Sequence, residues 1–186
     1  MKRAGVLVLV MCLLTGCGGK NTEMERGLAL RTKILQAQSC SFDVEIVADY
    51  GDKLHSFSVS CKGDKQGDLS FTAVKPETIS GITGTVTDSG GKLTFDDVAL
   101  QFDTMVEGQI SPVTAPWIFL KTLRSGCITS AGIEDSLLRL SIDDCYEDDA
   151  LHLDIWLDEK DNPKWAEILY DGRRILSMDV KNFQTL

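Results

Sequence analysis

Short segments in which apolar and polar residues alternate recur along most of this sequence, and they constrain the fold more than any other feature. Such alternation is typical of β-strands that bury one face. Gly and Asp lie between the segments, as expected for turns. The 186 residues suffice for one domain with a sizeable core. Strands are predicted at 42–46, 57–61, 69–74, 82–87, 92–95, 98–102, 136–142, 151–157, 165–170 and 174–180.

Two segments break the alternation and favour helices instead. Residues 23–38 carry apolar side chains near helical spacing, which predicts an amphipathic helix. A second, apolar helix is expected to begin at Pro116, since a first turn needs no N–H there, and to end before Gly126. The order of elements therefore predicts the α+β class.

The first residues have the pattern of an export signal. Lys2 and Arg3 precede an uncharged apolar stretch, residues 4–15. That stretch is too short to cross a bilayer, which takes about 20 helical residues, but it suits the apolar part of a signal peptide. An exported chain is therefore expected.

The segment Leu14-Thr15-Gly16-Cys17 resembles the lipobox of bacterial lipoproteins. In that family the signal is cut just before the Cys, whose thiol carries a diacylglyceryl group with fatty acids such as palmitate. The resemblance implies a signal peptide at 1–16, a lipid-anchored tether at 17–22 and a single domain at 23–186. It also implies that Cys17 holds the domain on the extracytoplasmic face of the cell membrane. The alternative is an ordinary secretory signal with an incidental Cys.

The cysteines of the domain indicate disulfides. An even number of Cys in an exported domain favours disulfide bonds. A metal site or a redox pair is the alternative, although the chain has no C-x-x-C motif and His55 and His152 are isolated on predicted strands. Four cysteines remain once Cys12 and Cys17 are set aside: Cys40, Cys61, Cys127 and Cys145.

The first predicted hairpin suggests how these cysteines pair. Residues 49–52 (DYGD) have hairpin-turn chemistry. A four-residue loop there sets three cross-strand pairs on one face: Phe42 with Val59, Val44 with Phe57, and Cys40 with Cys61. This register predicts a Cys40–Cys61 disulfide, which would stabilise the fold by roughly 3 kcal/mol. A Cys127–Cys145 bond then follows by elimination.

The order of elements resembles the LolA/LolB-like lipoprotein-carrier superfamily. The similarity rests on residues 74–77 and 81–87, on the strand–turn–strand of 158–168, on Gly172 and on the closing residues 180–183. The resemblance implies a strongly curved antiparallel sheet, an incomplete barrel, whose concave apolar face is covered by helices. The periplasmic carriers of this family are soluble, whereas the lipobox-like segment implies a lipid anchor on this chain. The resemblance is therefore to the anchored branch of the family. That branch includes the germination-associated lipoproteins of clostridia.

Such a fold implies an apolar groove under a helical lid. A groove of this kind could hold an acyl chain, each buried CH₂ contributing about 0.8 kcal/mol. A permanently filled core is the alternative, since sheet-and-helix domains must bury one face in any case. The expected groove and lid residues are Phe42, Val44, Phe57, Val59, Phe71, Trp117, Phe119, Leu120, Leu153 and Ile155.

Charge and motifs narrow the function classes further. The net charge of −9 argues against a nucleic-acid partner, which requires a basic face. The acidic stretch 134–161 lacks the EF-hand spacing and is interpreted as solvated surface, with docking of a basic partner as the alternative. The chain also lacks the common hydrolase, metalloprotease and nucleotide-binding motifs, so we expect no enzyme, no catalytic residue, no metal and no cofactor.

Two functions remain open at this point. In the first, a lipid-anchored carrier binds a lipid or the acyl chain of another lipoprotein in the half-barrel. In the second, a non-catalytic interaction module holds or regulates a cell-wall enzyme of the envelope or the spore cortex.

Overall fold

The structure of the protein is a computed structural model that describes residues 22–51, 53–96, 98–106, 109–144 and 151–186. Within these residues two helices, α1 (Thr22–Gln36) and α2 (Ala115–Ser125), accompany a set of antiparallel strands. The strands are β1 (Ser39–Asp49), β2 (Leu54–Asp64), β3 (Leu69–Lys75), β4 (Thr83–Thr87), β5 (Gly90–Phe95), β6 (Val98–Phe102), β7 (Met105–Val106), β8 (Gln109–Ile110), β9 (Cys127–Glu134), β10 (Leu137–Asp143), β11 (Leu151–Leu157), β12 (Pro163–Tyr170) and β13 (Arg173–Thr185).

One 11-stranded sheet dominates the fold. Its strand order is β6-β5-β4-β3-β2-β1-β13-β12-β11-β10-β9, and all its pairs are antiparallel. The first strand therefore lies beside the last at the centre of the sheet, and β6 and β9 form its two edges. The sheet does not close on itself, so the predicted open barrel of the α+β class is confirmed.

Both helices pack on the apolar face of the sheet. Alternate residues of the strands point toward these helices and form one buried core. Gly27 allows α1 to approach the sheet closely, because a Cβ at this position would lie 2.8 Å from a methyl carbon of Leu140. In the described part of the chain, no helix has both the length and the apolar character needed to cross a membrane.

The first hairpin has a different register from the predicted one. Its four-residue loop runs from Tyr50 to Lys53, so that Asp49 pairs with Leu54. The Asp49 carboxylate accepts a hydrogen bond from the Gly51 N–H at 2.8 Å, and Gly51 has a φ of +90°, which glycine adopts readily. These two features fix the turn one residue later than predicted, which shifts every cross-strand partner by two residues. Because the shift is even, every side chain keeps its predicted face.

The shift separates the two cysteines that were expected to bond. Cys40 pairs with Gly63, and Cys61 pairs with Phe42, so the predicted pair becomes a diagonal one. Diagonal neighbours have Cα atoms about 7–8 Å apart, and disulfides need less than about 7 Å. Cys40 and Cys61 are accordingly two buried free thiols, and the prediction of a bond between them is wrong.

We expect Cys40 and Cys61 to resist alkylation in the folded protein and to react once it is unfolded. Burial raises the pKa of both thiols, with only partial compensation at Cys40 by Arg124, so neither offers a reactive thiolate near pH 7. Peptide mass spectrometry of unreduced protein, with iodoacetamide added before or after urea, measures this. A Cys40–Cys61 cross-linked peptide would contradict the register described above.

The remaining cysteine predictions fall partly outside the described residues. Cys127 is exposed at the start of β9, opposite Asp143. Its expected partner Cys145 is outside the described residues, so a Cys127–Cys145 bond stays a prediction that the same peptide map tests. The signal peptide at 1–16 and the anchor Cys17 are also outside them and stay predictions.

Candidate functional site

The expected groove is a filled core. Apart from Phe57, which is half-buried, every residue predicted to line the groove or its lid is buried. Phe119 of α2 is 0% exposed, and its ring centroid lies 5.7 Å from that of Phe42 and 6.4 Å from that of Phe183. Edge-on contacts of this kind are typical of packed aromatic cores. The central concave face is therefore occupied by the protein's own helix.

Polar contacts hold α2 against the β2–β3 hairpin. The Trp117 indole N–H donates to the Gly67 carbonyl at 3.0 Å, and the Arg124 guanidinium donates to the Asp64 carbonyl at 2.7 Å. Between them, Leu120 packs on Gly63, where a Cβ would lie 2.5 Å from its methyl carbon. The helix that was predicted as a lid is thus bonded at both ends to the sheet that it covers.

The helix α1 is fastened in the same way to the other half of the sheet. Arg26 forms an ion pair with Asp161 in the β11–β12 turn, at 2.7 Å. The Arg31 guanidinium donates to the Leu123 carbonyl of α2 at 2.8 Å, which joins the two helices. Opening the concave face would break several of these contacts together.

Apolar side chains remain exposed at one edge of the concave face. The hairpin β5–β6 pairs Phe95 with Val98 and Leu93 with Leu100, on the same face as the buried Val86. Phe95 is 51%, Val98 70% and Leu100 62% exposed. We call these three residues the edge patch. Adjacent exposed apolar residues of this kind mark binding surfaces, and here they lie beside a strand whose outer edge has no partner in the described sheet.

The sequence predicts the strands that carry the edge patch, but it does not predict that their apolar side chains are exposed. Residues 98–102 were predicted as a strand, and its apolar positions follow from the alternation. Their exposure depends on how far α2 extends over the sheet, which strand patterns do not indicate.

A second cluster, of polar residues, lies on the outer face of β10 and β11. Asp154 is 3% exposed and accepts hydrogen bonds from Arg139 at 2.7 Å, from Ser141 at 2.7 Å and from Nε2 of His152 at 3.1 Å. Burial raises the pKa of Asp154, but these three donors outweigh burial and hold that pKa below its ordinary value. The other ring nitrogen of His152 bonds to Asp143.

This cluster contains the residue types of a hydrolytic triad in a different arrangement. In a triad the His lies between the nucleophile and the Asp. Here Ser141 and His152 both bond to the same oxygen of Asp154, so the acceptor of the Ser hydroxyl is the carboxylate and not the imidazole. The cluster holds a buried carboxylate in place. The sequence does not predict it, because the acidic stretch 134–161 has the composition of solvated surface.

Comparison with known proteins rests on structure rather than on sequence. No protein-family model matches the sequence, and no curated protein matches it. A putative outer membrane lipoprotein-sorting protein domain from Vibrio parahaemolyticus is similar to this chain with a TM-score of 0.50 and 7% identity, over 88% of this chain and 92% of that one. The lipoprotein LppX of Mycobacterium tuberculosis gives a TM-score of 0.41 and 13% identity, over 87% and 93% of the two chains. A chain of the complex between the CwlD amidase and the GerS lipoprotein of Clostridioides difficile gives 0.43 and 11%, over 91% and 99%.

At these sequence identities the similarity concerns the fold alone. The fold assignment rests on the comparison with the Vibrio domain. Its match extends over most of both chains. The fold implied by the LolA/LolB-like resemblance is thereby confirmed. This chain has the fold of the outer-membrane lipoprotein-sorting domains.

Proposed function

We propose that this protein is a non-catalytic binding module that is anchored by a lipidated Cys17 on the extracytoplasmic face of the membrane. It uses the edge patch to bind an envelope protein, such as a cell-wall enzyme. The observation that carries this proposal is the coincidence of an exposed apolar surface with the free edge strand β6.

A polypeptide suits this edge better than an acyl chain does. The outer side of β6 presents backbone N–H and C=O groups, which an added strand can satisfy. The apolar side chains of Phe95, Val98 and Leu100 would then contact alternate side chains of that strand. An acyl chain would cover the apolar surface but leave the backbone groups unpaired.

The filled core also favours a surface function over transport inside the half-barrel. An acyl chain could enter the central concave face only after α2 leaves it. That movement would break the hydrogen bonds of Trp117 and Arg124 and expose Phe119. Ligand carriage remains the second candidate, since the concave face is apolar throughout and the fold is that of lipoprotein-sorting domains.

Site-specific photo-crosslinking in the producing bacterium tests the proposal. A benzophenone amino acid at position 98 is expected to capture one discrete protein, and Leu100→Lys is expected to abolish the capture. A charge at position 100 disrupts the apolar contact of an added strand. Ile133→Lys is the matched control, because Ile133 is an exposed residue of the opposite edge strand β9 and should leave the capture unchanged.

Lipid extraction from the purified full-length protein separates the two candidates. The extract is examined for a lipid other than the covalent anchor on Cys17. An equimolar amount of such a lipid, still present in the Leu100→Lys protein, would establish the carrier function and overturn the proposal. Capture that persists in the Leu100→Lys protein would likewise exclude the edge patch as the binding surface.

A further inference from the structure

The outer face of β2–β5 forms a shallow groove lined by hydroxyl and ammonium groups. Its volume is about 470 Å³. One row of side chains crosses the four strands in register: Lys62 lies beside Ser70, Ser70 beside Thr85, and Thr85 beside Lys92. Each of these residues is exposed, and each points away from the apolar core.

A second row lies two residues along the strands and carries hydroxyls alone. It consists of Ser60, Thr72, Thr83 and Thr94, again in register across the four strands. Ser60 donates to Asp43 on β1 at 2.6 Å, and Thr83 donates to the Thr94 carbonyl. Thr72 and Thr85 have no hydrogen-bond partner for their hydroxyls among the described residues. The Ser70 hydroxyl donates to the Lys62 carbonyl at 3.2 Å. The hydroxyls of Thr72 and Thr85 are therefore the ones that are free to bind a ligand.

The groove has the opposite charge to the rest of the chain. The protein carries 28 acidic residues against 19 Lys and Arg, yet the described residues that line the groove include no Asp or Glu. The Asp43 carboxylate of β1 lies outside this lining, beside Ser60. Neither Lys62 nor Lys92 forms an ion pair with any described residue, whereas Lys121 and Lys181 on other surfaces do. Two uncompensated ammonium groups on an acidic protein favour an anionic ligand.

We propose that this groove binds a linear polyanion that carries hydroxyl groups. Strands lie about 4.8 Å apart, so Lys62 and Lys92 are about 14 Å apart across three strand steps. When both side chains extend away from the sheet, their ammonium groups are too far apart for one small anion, which favours an extended ligand with repeated anionic groups. The free hydroxyls of Thr72 and Thr85 donate to and accept from the hydroxyls of such a polymer. Because the edge patch is on the opposite face, this site does not depend on the proposed function.

Two polymers provide the test, because the repeated anion can be a carboxylate or a phosphate. Polygalacturonate and poly(glycerol phosphate) are titrated into the full-length protein in detergent, with neutral dextran as the uncharged comparison. We expect at least one polyanion to bind, to be weakened by salt, and to lose about tenfold in affinity in the Lys62→Ala/Lys92→Ala protein, the effect of losing two exposed ion pairs. The polymer that binds identifies the anion.

A matched double variant and a hydroxyl variant distinguish specific binding in the groove from nonspecific attraction of a polyanion to exposed lysines. Lys33→Ala/Lys160→Ala removes the same charge from exposed positions elsewhere and should leave the affinity unchanged. Thr85→Val keeps the shape of the side chain and should weaken binding about threefold, the loss of one modest hydrogen bond. Absence of binding by both polyanions, equal binding of dextran, or equal losses in the two lysine double variants would each overturn the proposal.

Discussion

Phe119→Ala is expected to lower the free energy of unfolding by about 3–5 kcal/mol, which would be among the largest effects of any substitution in this protein. Phe119 is fully buried between α2 and the sheet, in contact with the rings of Phe42 and Phe183. Its truncation removes that contact area and leaves a cavity that the surrounding strands cannot fill. Urea unfolding followed by circular dichroism measures the change.

Phe95→Ala is the matched control for this substitution. It removes the same atoms from the edge patch, where half of the side chain is already in solvent, so we expect a loss below about 1 kcal/mol. Equal effects of the two substitutions would mean that α2 does not pack on the concave face in solution. In that case the carrier function would become the better proposal.

Asp154→Ala is expected to lower the free energy of unfolding by about 2–4 kcal/mol. The substitution leaves Ser141 and one ring nitrogen of His152 without their acceptor, and it deprives Arg139 of its buried partner. Asp135→Ala removes an exposed acid from the β9–β10 turn and serves as the comparison at equal charge. Because Asp135 has a φ of +48°, Asp135→Asn is a further comparison that keeps the turn unstrained. A loss at Asp154 no larger than that at Asp135 would contradict the described cluster.

The lowered pKa of Asp154 predicts how the difference in free energy of unfolding between wild type and Asp154→Ala depends on pH. The folded state holds the pKa of Asp154 below its ordinary value of about 3.9, so its stabilisation is complete above that value. The stabilisation is lost as the pH falls through the lower pKa of the folded state. The gap between the two proteins should therefore be constant above about pH 5 and should narrow toward about pH 2. A gap that widens on acidification would give the pKa shift the opposite sign.

The strands could be predicted where one face is buried and the other is wet. Segments such as 42–46 and 151–157 alternate because a curved sheet with helices on one side imposes a period of two. The strand β9 (Cys127–Glu134) went unpredicted because it is an edge strand with little burial, so its residues are not sorted by face. Its position is set by pairing with β10, which is a tertiary effect.

Two features depend on details that a strand pattern does not contain: the register of the first hairpin, and whether the apolar concave face is open or filled. Two registers whose cross-strand partners differ by two residues bury the same face, so the apolar residues cannot choose between them. The choice falls to the Asp49 carboxylate and to the backbone of Gly51. A filled core and an open groove also need the same apolar residues. Here the contacts of Trp117 and Arg124, made far along the chain, decide for the filled core.

The pairing of the first strand with the last has a consequence for how the molecule is assembled. Along β1, Cys40 pairs with Thr185, and the Leu186 N–H donates to the Ser39 carbonyl at 2.8 Å. These contacts join residues that are far apart in the sequence, so the two meanders β1–β6 and β9–β13 can each form from local contacts before they meet. Contacts of such sequence separation are slow to form. Until the final strand arrives, one side of β1 stays an open edge, and the unfinished protein is most prone to aggregate at what will become its centre.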